Sequence, residues 1–231
     1  MPARRRTNSN SESVDNYLKA ILSLGGPDEA RVTSTALADR LEVAPASITN
    51  MLQKLAAAAE PLVEYERHRG VKLSAAGKRR ALEVVRHHRL IETFLYKILD
   101  YPIEEVHAEA ERLEHFISER FEERIAAKLG HPKIDPHGHF IPTLEGEMPP
   151  RESIPLTGVV KGGTYVVDSV DDRDAGTLRL LEANGIKAGA KLRVEPRTEV
   201  AGYSVSVGRA AKPFDISHEV AGDIRIIPFE R

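Results

Sequence analysis

The chain of 231 residues contains no cysteine. Without a thiol it can form no disulfide, thiolate nucleophile, iron–sulfur cluster or cysteine-ligated zinc site. It also lacks any apolar run approaching the ~20 residues that span a bilayer. No apolar signal core follows its basic start, Met1–Arg6. We therefore expect a cytoplasmic protein with no membrane partner, in which any metal is held by oxygen and nitrogen atoms.

Neither sign of charge dominates, because 33 Lys and Arg nearly balance 35 Asp and Glu. The distribution is uneven: residues 1–80 carry 13 basic and 9 acidic side chains, whereas residues 81–130 carry 7 and 11. The basic end is a candidate surface for a polyanion, although an excess of this size is also common on proteins that bind none. With 41% hydrophobic residues, the chain can form the cores of two or three small domains.

Two helix-like stretches concentrate imidazole and carboxylate groups. They contain His88 and Glu92 in the first stretch, and His107, Glu111, Glu114 and His115 in the second. In a continuous helix with roughly 100° between residues, the groups of the second stretch all fall within about 80° of His107. This strip borders the apolar face of the same helix. Spacing alone indicates a metal site or a solvated amphipathic helix about equally.

Residues 32–55 have the periodicity of two short helices separated by a tight break at Glu42–Ala44. Ile48, Leu52 and Leu55 form the buried side of the second helix. The positions that we predict to contact DNA from this helix and its start are Ala44, Ala46, Ser47, Thr49, Asn50 and Lys54. The pattern resembles a helix-turn-helix, whose second helix enters the major groove, but any αα-hairpin would share it.

The following residues, Leu62–Leu73, read as a β-hairpin with its turn near Arg67–Gly70. A helix-turn-helix followed by a hairpin with a basic tip is the winged-helix arrangement. This combination favours DNA binding over a purely structural hairpin. We therefore predict that Arg67 and Arg69 contact DNA phosphates.

The remaining chain divides by composition. Residues 1–11 hold almost nothing apolar and are predicted to form a disordered arm, after which Ser13 caps the first helix. A helical pattern runs from about Ile103 to Leu129. Residues 131–155 contain six of the 14 prolines and read as a linker. Beyond them, short apolar runs, the first near Gly158, and one helix at Leu178–Gly185 predict a small β-barrel.

The whole order resembles the diphtheria-toxin-repressor family of metal-dependent transcriptional regulators. The resemblance rests on the His/Glu helices and on the linker motif Asp135-Pro-His-Gly-x-x-Ile-Pro142, and it extends from about residue 12 to the end. It implies a multidomain, mainly α fold. The expected parts are the arm (1–11), a winged helix-turn-helix DNA-binding domain (12–78), a helical metal-binding and dimerisation domain (79–130), the linker (131–154) and an SH3-like barrel similar to the ferrous-transport A fold (155–231).

The resemblance also assigns ligands by position. It implies a primary metal site of Asn16, Glu111, Glu114 and His115. It implies an ancillary site of His88, Glu92 and His107, for which Asp172 is our candidate from the barrel, with Asp171 and Asp174 as rivals. Lys19 stands where two-ion manganese members have a second carboxylate on the first helix. Because an ammonium cannot ligate a metal, we do not expect a compact two-ion centre.

The function implied by the resemblance is metal-dependent repression of metal-uptake genes by a cytoplasmic homodimer bound to double-stranded operator DNA. No enzymatic activity and no small organic substrate are expected. Oxygen and imidazole ligands without sulfur suit Mn(II), our first choice, or Fe(II), our second, although Zn(II) and Cu(II) bind more tightly in isolation. The alternatives are a winged-helix regulator that senses an organic ligand and, less favoured, a metal-dependent hydrolase.

Overall fold

The computed structural model describes residues 9–197, 202–208 and 212–229. The described chain forms two compact units. The first comprises the chain up to His87 together with Glu114–Ile117 and Pro142–Met148, and the second comprises His88–Leu113, Ser118–Ile141 and the chain from Pro149 onwards. Within the described ranges, no helix is both long enough and apolar enough to cross a membrane.

The first unit contains the predicted helix-turn-helix and hairpin. Its elements are α1 (Ser9–Gly25), α2 (Ser34–Leu41), α3 (Pro45–Ala56), β1 (Val63–Glu66), β2 (Gly70–Leu73) and the first part of α4 (Ala75–Ile98). Thr33 caps α2 by accepting a hydrogen bond from the Ala36 amide at 3.1 Å. The chain then reverses through Glu42, in the left-handed region at φ 54°, and Pro45 begins α3. These local signals place the break where the sequence predicts it.

The core of the first unit joins α1 to the DNA-binding elements. Leu18 of α1, Leu37 of α2, Ile48 and Leu52 of α3 and Val71 of β2 belong to one cluster, and each has no exposed surface. Fully burying side chains of this size contributes about 1.5–3 kcal/mol each. The first helix is therefore held rigidly by the same apolar core as the predicted recognition helix.

The start of α1 corrects one expectation. The helix begins at Ser9, so the prediction of an arm that extends to residue 11 and the prediction of a cap at Ser13 are both wrong. Residues 1–8 lie outside the described ranges. Glu12 lies in the first turn, where a negative side chain interacts favourably with the positive end of the helix dipole. Polar composition alone therefore did not prevent helix formation.

The expected continuous helix from Ile103 to Leu129 is also wrong. The chain forms α5 (Ile103–Leu113) and α6 (Glu119–Lys128), with a turn between them. Ser118 has an extended backbone, and its hydroxyl accepts a hydrogen bond from the Phe121 amide, so that it caps a new helix. Glu114 and His115 consequently lie in the turn after α5 rather than on its face.

The second unit contains the predicted small barrel as an antiparallel sheet. Its strands are β3 (Ile154–Pro155), β4 (Gly163–Val170), β5 (Lys191–Arg197), β6 (Gly202–Val207), β7 (Phe214–Ser217) and β8 (Ile224–Pro228), in the order β3-β8-β4-β5-β6-β7. Two short helices accompany it, α7 (Ala175–Ala183) and α8 (His218–Gly222). Leu178, Leu192 and Ile226 lie in its core. Where a strand was expected near Gly158, the chain forms a 3-10 turn instead.

Candidate metal-binding and DNA-binding sites

In the first unit, α1 meets the turn that carries Glu114 and His115. The Glu114 side chain has no exposed surface and that of His115 is 3% exposed. His115 Nε2 lies 3.3 Å from Glu114 Oε1, and its Nδ1 lies 3.5 Å from Asp15 Oδ2 on α1. Asn16 follows Asp15 on the same helix. Three of the four predicted primary ligands, Asn16, Glu114 and His115, therefore belong to one compact unit.

Two cations of the chain pair with the carboxylates of this region. Lys19 Nζ donates hydrogen bonds to both oxygens of Glu114, at 2.7 and 2.9 Å. Arg80 Nε donates to Asp15 Oδ1 at 2.7 Å. Sequence reasoning excluded Lys19 as a ligand but did not predict that it would contact the ligand Glu114. The two residues are 95 positions apart, so no local pattern signals this pair.

Other polar atoms of this cluster have no hydrogen bond. Within the described chain, Asn16 Oδ1 and both ring nitrogens of His115 are buried and have no partner in hydrogen-bond geometry. Leaving a buried polar group unpaired typically costs about 1–3 kcal/mol, so such groups are expected to bind something. An amide oxygen, an imidazole nitrogen and the Glu114 carboxylate are donors that Mn(II) and Fe(II) accept. The residues present thus fit a divalent metal ion.

The second unit brings the predicted ancillary ligands together. One ligand atom from each of His88, Glu92, His107 and Asp172 lies within 4.8 Å of the others. Glu92 Oε1 is 2.9 Å from His88 Nε2 and 3.3 Å from His107 Nδ1. Asp172 Oδ2 is 3.7 Å from His107 Nδ1. Helix α4 supplies the first two residues, α5 the third, and the segment after β4 the fourth.

The environment of Glu92 keeps it ionised. Its side chain is wholly buried, and this burial raises its pKa. The positive charge of His88 and hydrogen bonds with His107 and His88 outweigh burial and hold the pKa of Glu92 well below its usual range. Carboxylates and imidazoles are both common ligands of divalent metal ions. This cluster therefore also fits a metal ion.

The geometry distinguishes Asp172 from its two rivals. Asp171 accepts hydrogen bonds from the guanidinium of Arg173, with Oδ1 2.8 Å from Nε. Asp174 caps α7 by accepting a hydrogen bond from the Thr177 amide at 2.6 Å. Asp172 Oδ2 instead faces His107, and it is also 3.6 Å from His139 Nδ1. Of the three carboxylates, Asp172 is the one placed with the imidazoles.

Sequence reasoning missed two linker histidines beside this cluster. His137 is wholly buried, with Nε2 3.9 Å from Glu92 Oε1, and neither of its ring nitrogens has a hydrogen-bond partner within the described ranges. Burial lowers the pKa of His139, but Asp135 and Asp172 outweigh burial and raise it. Asp135 fixes the backbone of this linker segment, because its Oδ1 accepts hydrogen bonds from the backbone amides of His137 and His139, each at 2.9 Å. Both histidines belong to the linker motif of residues 135–142, so the sequence shows the imidazoles but not their position beside Glu92.

Glu111, the remaining predicted primary ligand, belongs to the second unit. Its Oε1 lies 4.0 Å from His88 Nδ1 and 4.0 Å from His107 Nε2. The side chain is 40% exposed, unlike the buried Glu92. Within its own unit, Glu111 therefore lies beside the cluster that sequence reasoning called ancillary.

The predicted DNA-contacting residues are mostly accessible. Those exposed on α3, at its start and at the hairpin tip are Ala44, Ala46, Ser47, Asn50, Lys54, Arg67 and Arg69. Thr49 is only partly exposed, and its hydroxyl donates to the Pro45 carbonyl of its own helix at 3.3 Å. Arg69 pairs with Glu66 at 3.1 Å, yet its side chain is 78% exposed. These side chains offer the polar and cationic groups that contact base edges and phosphates.

Three protein-family models match the chain. Residues 10–71 match the N-terminal DNA binding domain of iron dependent repressors. Residues 74–143 match the metal binding and dimerisation domain of iron dependent repressors. Residues 154–228 match the FeoA domain. The chain thus carries a DNA-binding domain, a dimerisation domain and an FeoA domain in succession.

Individual proteins are similar over long ranges. The iron-dependent repressor IdeR of Mycobacterium leprae (strain TN) is 27% identical over 230 residues, covering 93% of this chain and 96% of that protein. The HTH-type transcriptional regulator MntR of Oceanobacillus iheyensis is 33% identical over 124 residues, covering 53% of this chain and 81% of that protein. A solved manganese-dependent transcriptional repressor in complex with manganese is 35% identical with a TM-score of 0.84, covering 94% of this chain and all of that one.

Proposed function

Because the chain belongs to the family of metal-dependent, DNA-binding transcriptional repressors, we propose that it is a homodimeric regulator that binds operator DNA when it holds Mn(II) and then represses metal-uptake genes. The comparisons do not favour a regulator of an organic ligand. The relatives are repressors, and we infer that this chain likewise has no enzymatic activity.

The observation that carries this proposal is the dual role of α1. Its apolar face lies in the core that holds α2 and α3, through Leu18. Its polar face meets Glu114 and His115, through Asp15 and Lys19. Asn16, Glu114 and His115 would hold the metal, and a bound divalent cation supplies an electrostatic link between the first helix and the turn.

Such a link biases the position of the recognition helix. In a dimer, the two copies of α3 must fit successive major grooves about 34 Å apart. When Asn16, Glu114 and His115 link α1 to the turn, they favour the state in which both recognition helices fit the DNA. Without this link, the protein favours a state in which the recognition helices are misplaced. By linkage, DNA binding must then strengthen metal binding by the same factor.

The second cluster would hold a further ion through His88, Glu92, His107 and Asp172, with His137 within reach of Glu92. Asp172 belongs to the C-terminal domain, whereas the other ligands come from the helices. We propose that this site fixes the C-terminal domain to the helices of the same unit. Glu111, which lies beside this cluster, remains a predicted primary ligand through the helical spacing and the family resemblance.

The donor set supports Mn(II) as first choice and Fe(II) as second. Both clusters offer oxygen and nitrogen atoms, and the chain has no cysteine to favour softer metals. The solved relative with a TM-score of 0.84 is a manganese complex, which supports the same choice. The relative from Mycobacterium leprae is named as iron-dependent, which keeps Fe(II) as the alternative.

The test is a metal-titrated DNA-binding measurement on ligand variants. Operator fragments are first selected from genomic DNA with the Mn(II)-loaded protein. Glu114→Gln keeps the shape of the side chain but removes a charge that hard cations prefer, and His115→Ala removes the imidazole. We expect both variants to dimerise and to lose metal-dependent operator binding.

Glu109→Gln is the matched control. Glu109 lies on α5, pairs with the exposed Arg112 at 3.2 Å and is not among the predicted ligands of either cluster. This variant should respond to Mn(II) as the wild type does. If all three variants bound DNA with the same dependence on Mn(II), the proposed metal regulation would be wrong.

A further inference from the structure

The ammonium of Lys19 is placed on the carboxylate that the proposed metal needs. Its two hydrogen bonds, at 2.7 and 2.9 Å, engage both oxygens of Glu114. Hydrogen bonds between charged partners are roughly twice as strong as neutral ones. Glu114 has no exposed surface, so solvent screens this pair weakly. In the protein without metal, Lys19 therefore supplies the positive charge that balances Glu114.

A metal ion and this ammonium compete for the same two oxygens. A divalent cation bound to Glu114 would lie within a few ångströms of Nζ, where like charges repel strongly in a buried site. The surrounding groups do not relieve this repulsion, because Asp15 is already paired with Arg80 at 2.7 Å. The His115 ring also faces Glu114, with Nε2 3.3 Å from Oε1.

Lys19 has a route out of the site. Its side chain is 18% exposed, whereas that of Glu114 is fully buried. The flexible stem of a lysine allows the ammonium to move into water, where it is strongly hydrated. The other candidate ligand atoms of this unit, Asn16 Oδ1 and the His115 nitrogens, have no hydrogen bonds to release within the described residues. Within this unit, loss of the Lys19 contact is therefore the main rearrangement that metal binding requires.

We propose that Lys19 is an internal competitor of the metal at Glu114. Its ammonium pairs with Glu114 in the metal-free protein and leaves when metal binds, which weakens metal affinity and raises the metal concentration at which the protein responds. This inference rests on the proposed function, because it assumes a metal site at Glu114 and His115. It adds a tuning residue that is itself not a ligand.

The test measures Mn(II) affinity and metal-free stability of the full chain. In a calorimetric Mn(II) titration, the binding step that His115→Ala removes is assigned to the Glu114 site. Lys19→Gln keeps a hydrogen-bonding side chain but removes the charge. We expect it to strengthen that step by about tenfold, which lies within the roughly 5–150-fold range typical of the coupling between two binding events. Its metal-free unfolding temperature should fall, because Glu114 is then buried without a cation.

Two further variants serve as controls. Lys78→Gln removes the ammonium of an exposed pair with Glu29 in the same unit, and should change neither affinity nor unfolding temperature appreciably. Lys19→Arg keeps the charge, and its guanidinium can bind the carboxylate through two hydrogen bonds, so Mn(II) should bind no more tightly than to the wild type. Lys19→Arg tests the inference even if Lys19→Gln does not fold without metal.

The outcomes separate this inference from the proposed function. Suppose that the wild type shows the His115-dependent step. If Lys19→Gln does not strengthen Mn(II) binding in this step, or if Lys19→Arg strengthens it, then Lys19 is not a competitor of the metal. The proposed metal site is not contradicted by either result. If the wild type shows no Mn(II) step that His115→Ala removes, the metal site itself is wrong, and the proposed function and this inference are both overturned.

Discussion

The two candidate metal clusters differ in what balances their buried carboxylate. Glu114 is paired with the ammonium of Lys19, whereas Glu92 is surrounded by the imidazoles of His88 and His107. An imidazole can lose its proton and remain as a ligand when a metal arrives, but an ammonium must leave. The comparison suggests a division of roles. In our proposal, the ligands of the second cluster are already in place, whereas the first cluster must exchange the ammonium of Lys19 for the metal ion.

The largest expected effect follows from removing the charge of Glu92. Glu92→Gln should weaken Mn(II) binding at the second cluster by more than the roughly 10–100-fold that loss of an outer-shell partner costs, because Glu92 is a direct ligand in our proposal. The step assigned to Glu114 and His115 should keep its affinity. Calorimetric titration resolves the two steps. If both steps changed together, the clusters would not be independent, and the proposed division would fail.

The next effect concerns the reading helix, which belongs to the same unit as the first cluster. Asn50→Ala should relax base preference at a cost of about 1–3 kcal/mol if the amide contacts a base edge. Lys54→Ala should weaken binding to all DNA about equally and flatten its salt dependence. Both variants should keep the Mn(II) titration of the wild type. An unaltered sequence preference in Asn50→Ala would contradict its assignment to base recognition.

A smaller pair of effects tests which carboxylate completes the second cluster. Asp172→Ala should weaken Mn(II) binding there by about tenfold, less than Glu92→Gln, because the Asp172 side chain is 18% exposed and water can take its place as a ligand. Asp174→Ala should leave that affinity unchanged and lower the unfolding temperature slightly, because it removes the cap of α7. Titration and thermal unfolding of the two variants should therefore give opposite patterns. If Asp174→Ala weakened metal binding instead, Asp172 would be the wrong choice.

Short-range signals account for the parts of the fold that sequence analysis predicted. The cap at Thr33, the reversal at Glu42 and the proline at the start of α3 each act within a few residues. The hairpin turn near Arg67–Gly70 is equally local. Such signals can be recognised in the sequence because the backbone conformation that they favour depends little on the rest of the chain.

The break after α5 shows where this reading fails. Apolar periodicity continues across it, so the pattern predicted one helix through Glu114 and His115. The cap at Ser118 instead begins a new helix, and the interval becomes a turn. The predicted helical strip is therefore right for His107 and Glu111, which lie on α5, and wrong for Glu114 and His115, which lie in the turn.

The sequence by itself determined the chemistry available to this protein: oxygen and nitrogen ligands without sulfur, and a winged helix to read DNA. The tertiary structure decided which charges meet those ligands. Lys19 reaches Glu114 across 95 positions, and His137 of the linker lies 3.9 Å from Glu92 of α4. Contacts between distant segments depend on how the apolar cores bring the elements together. Local composition and periodicity do not encode these long-range contacts, which is why the Lys19–Glu114 pair and the position of His137 beside Glu92 are visible only in the folded chain.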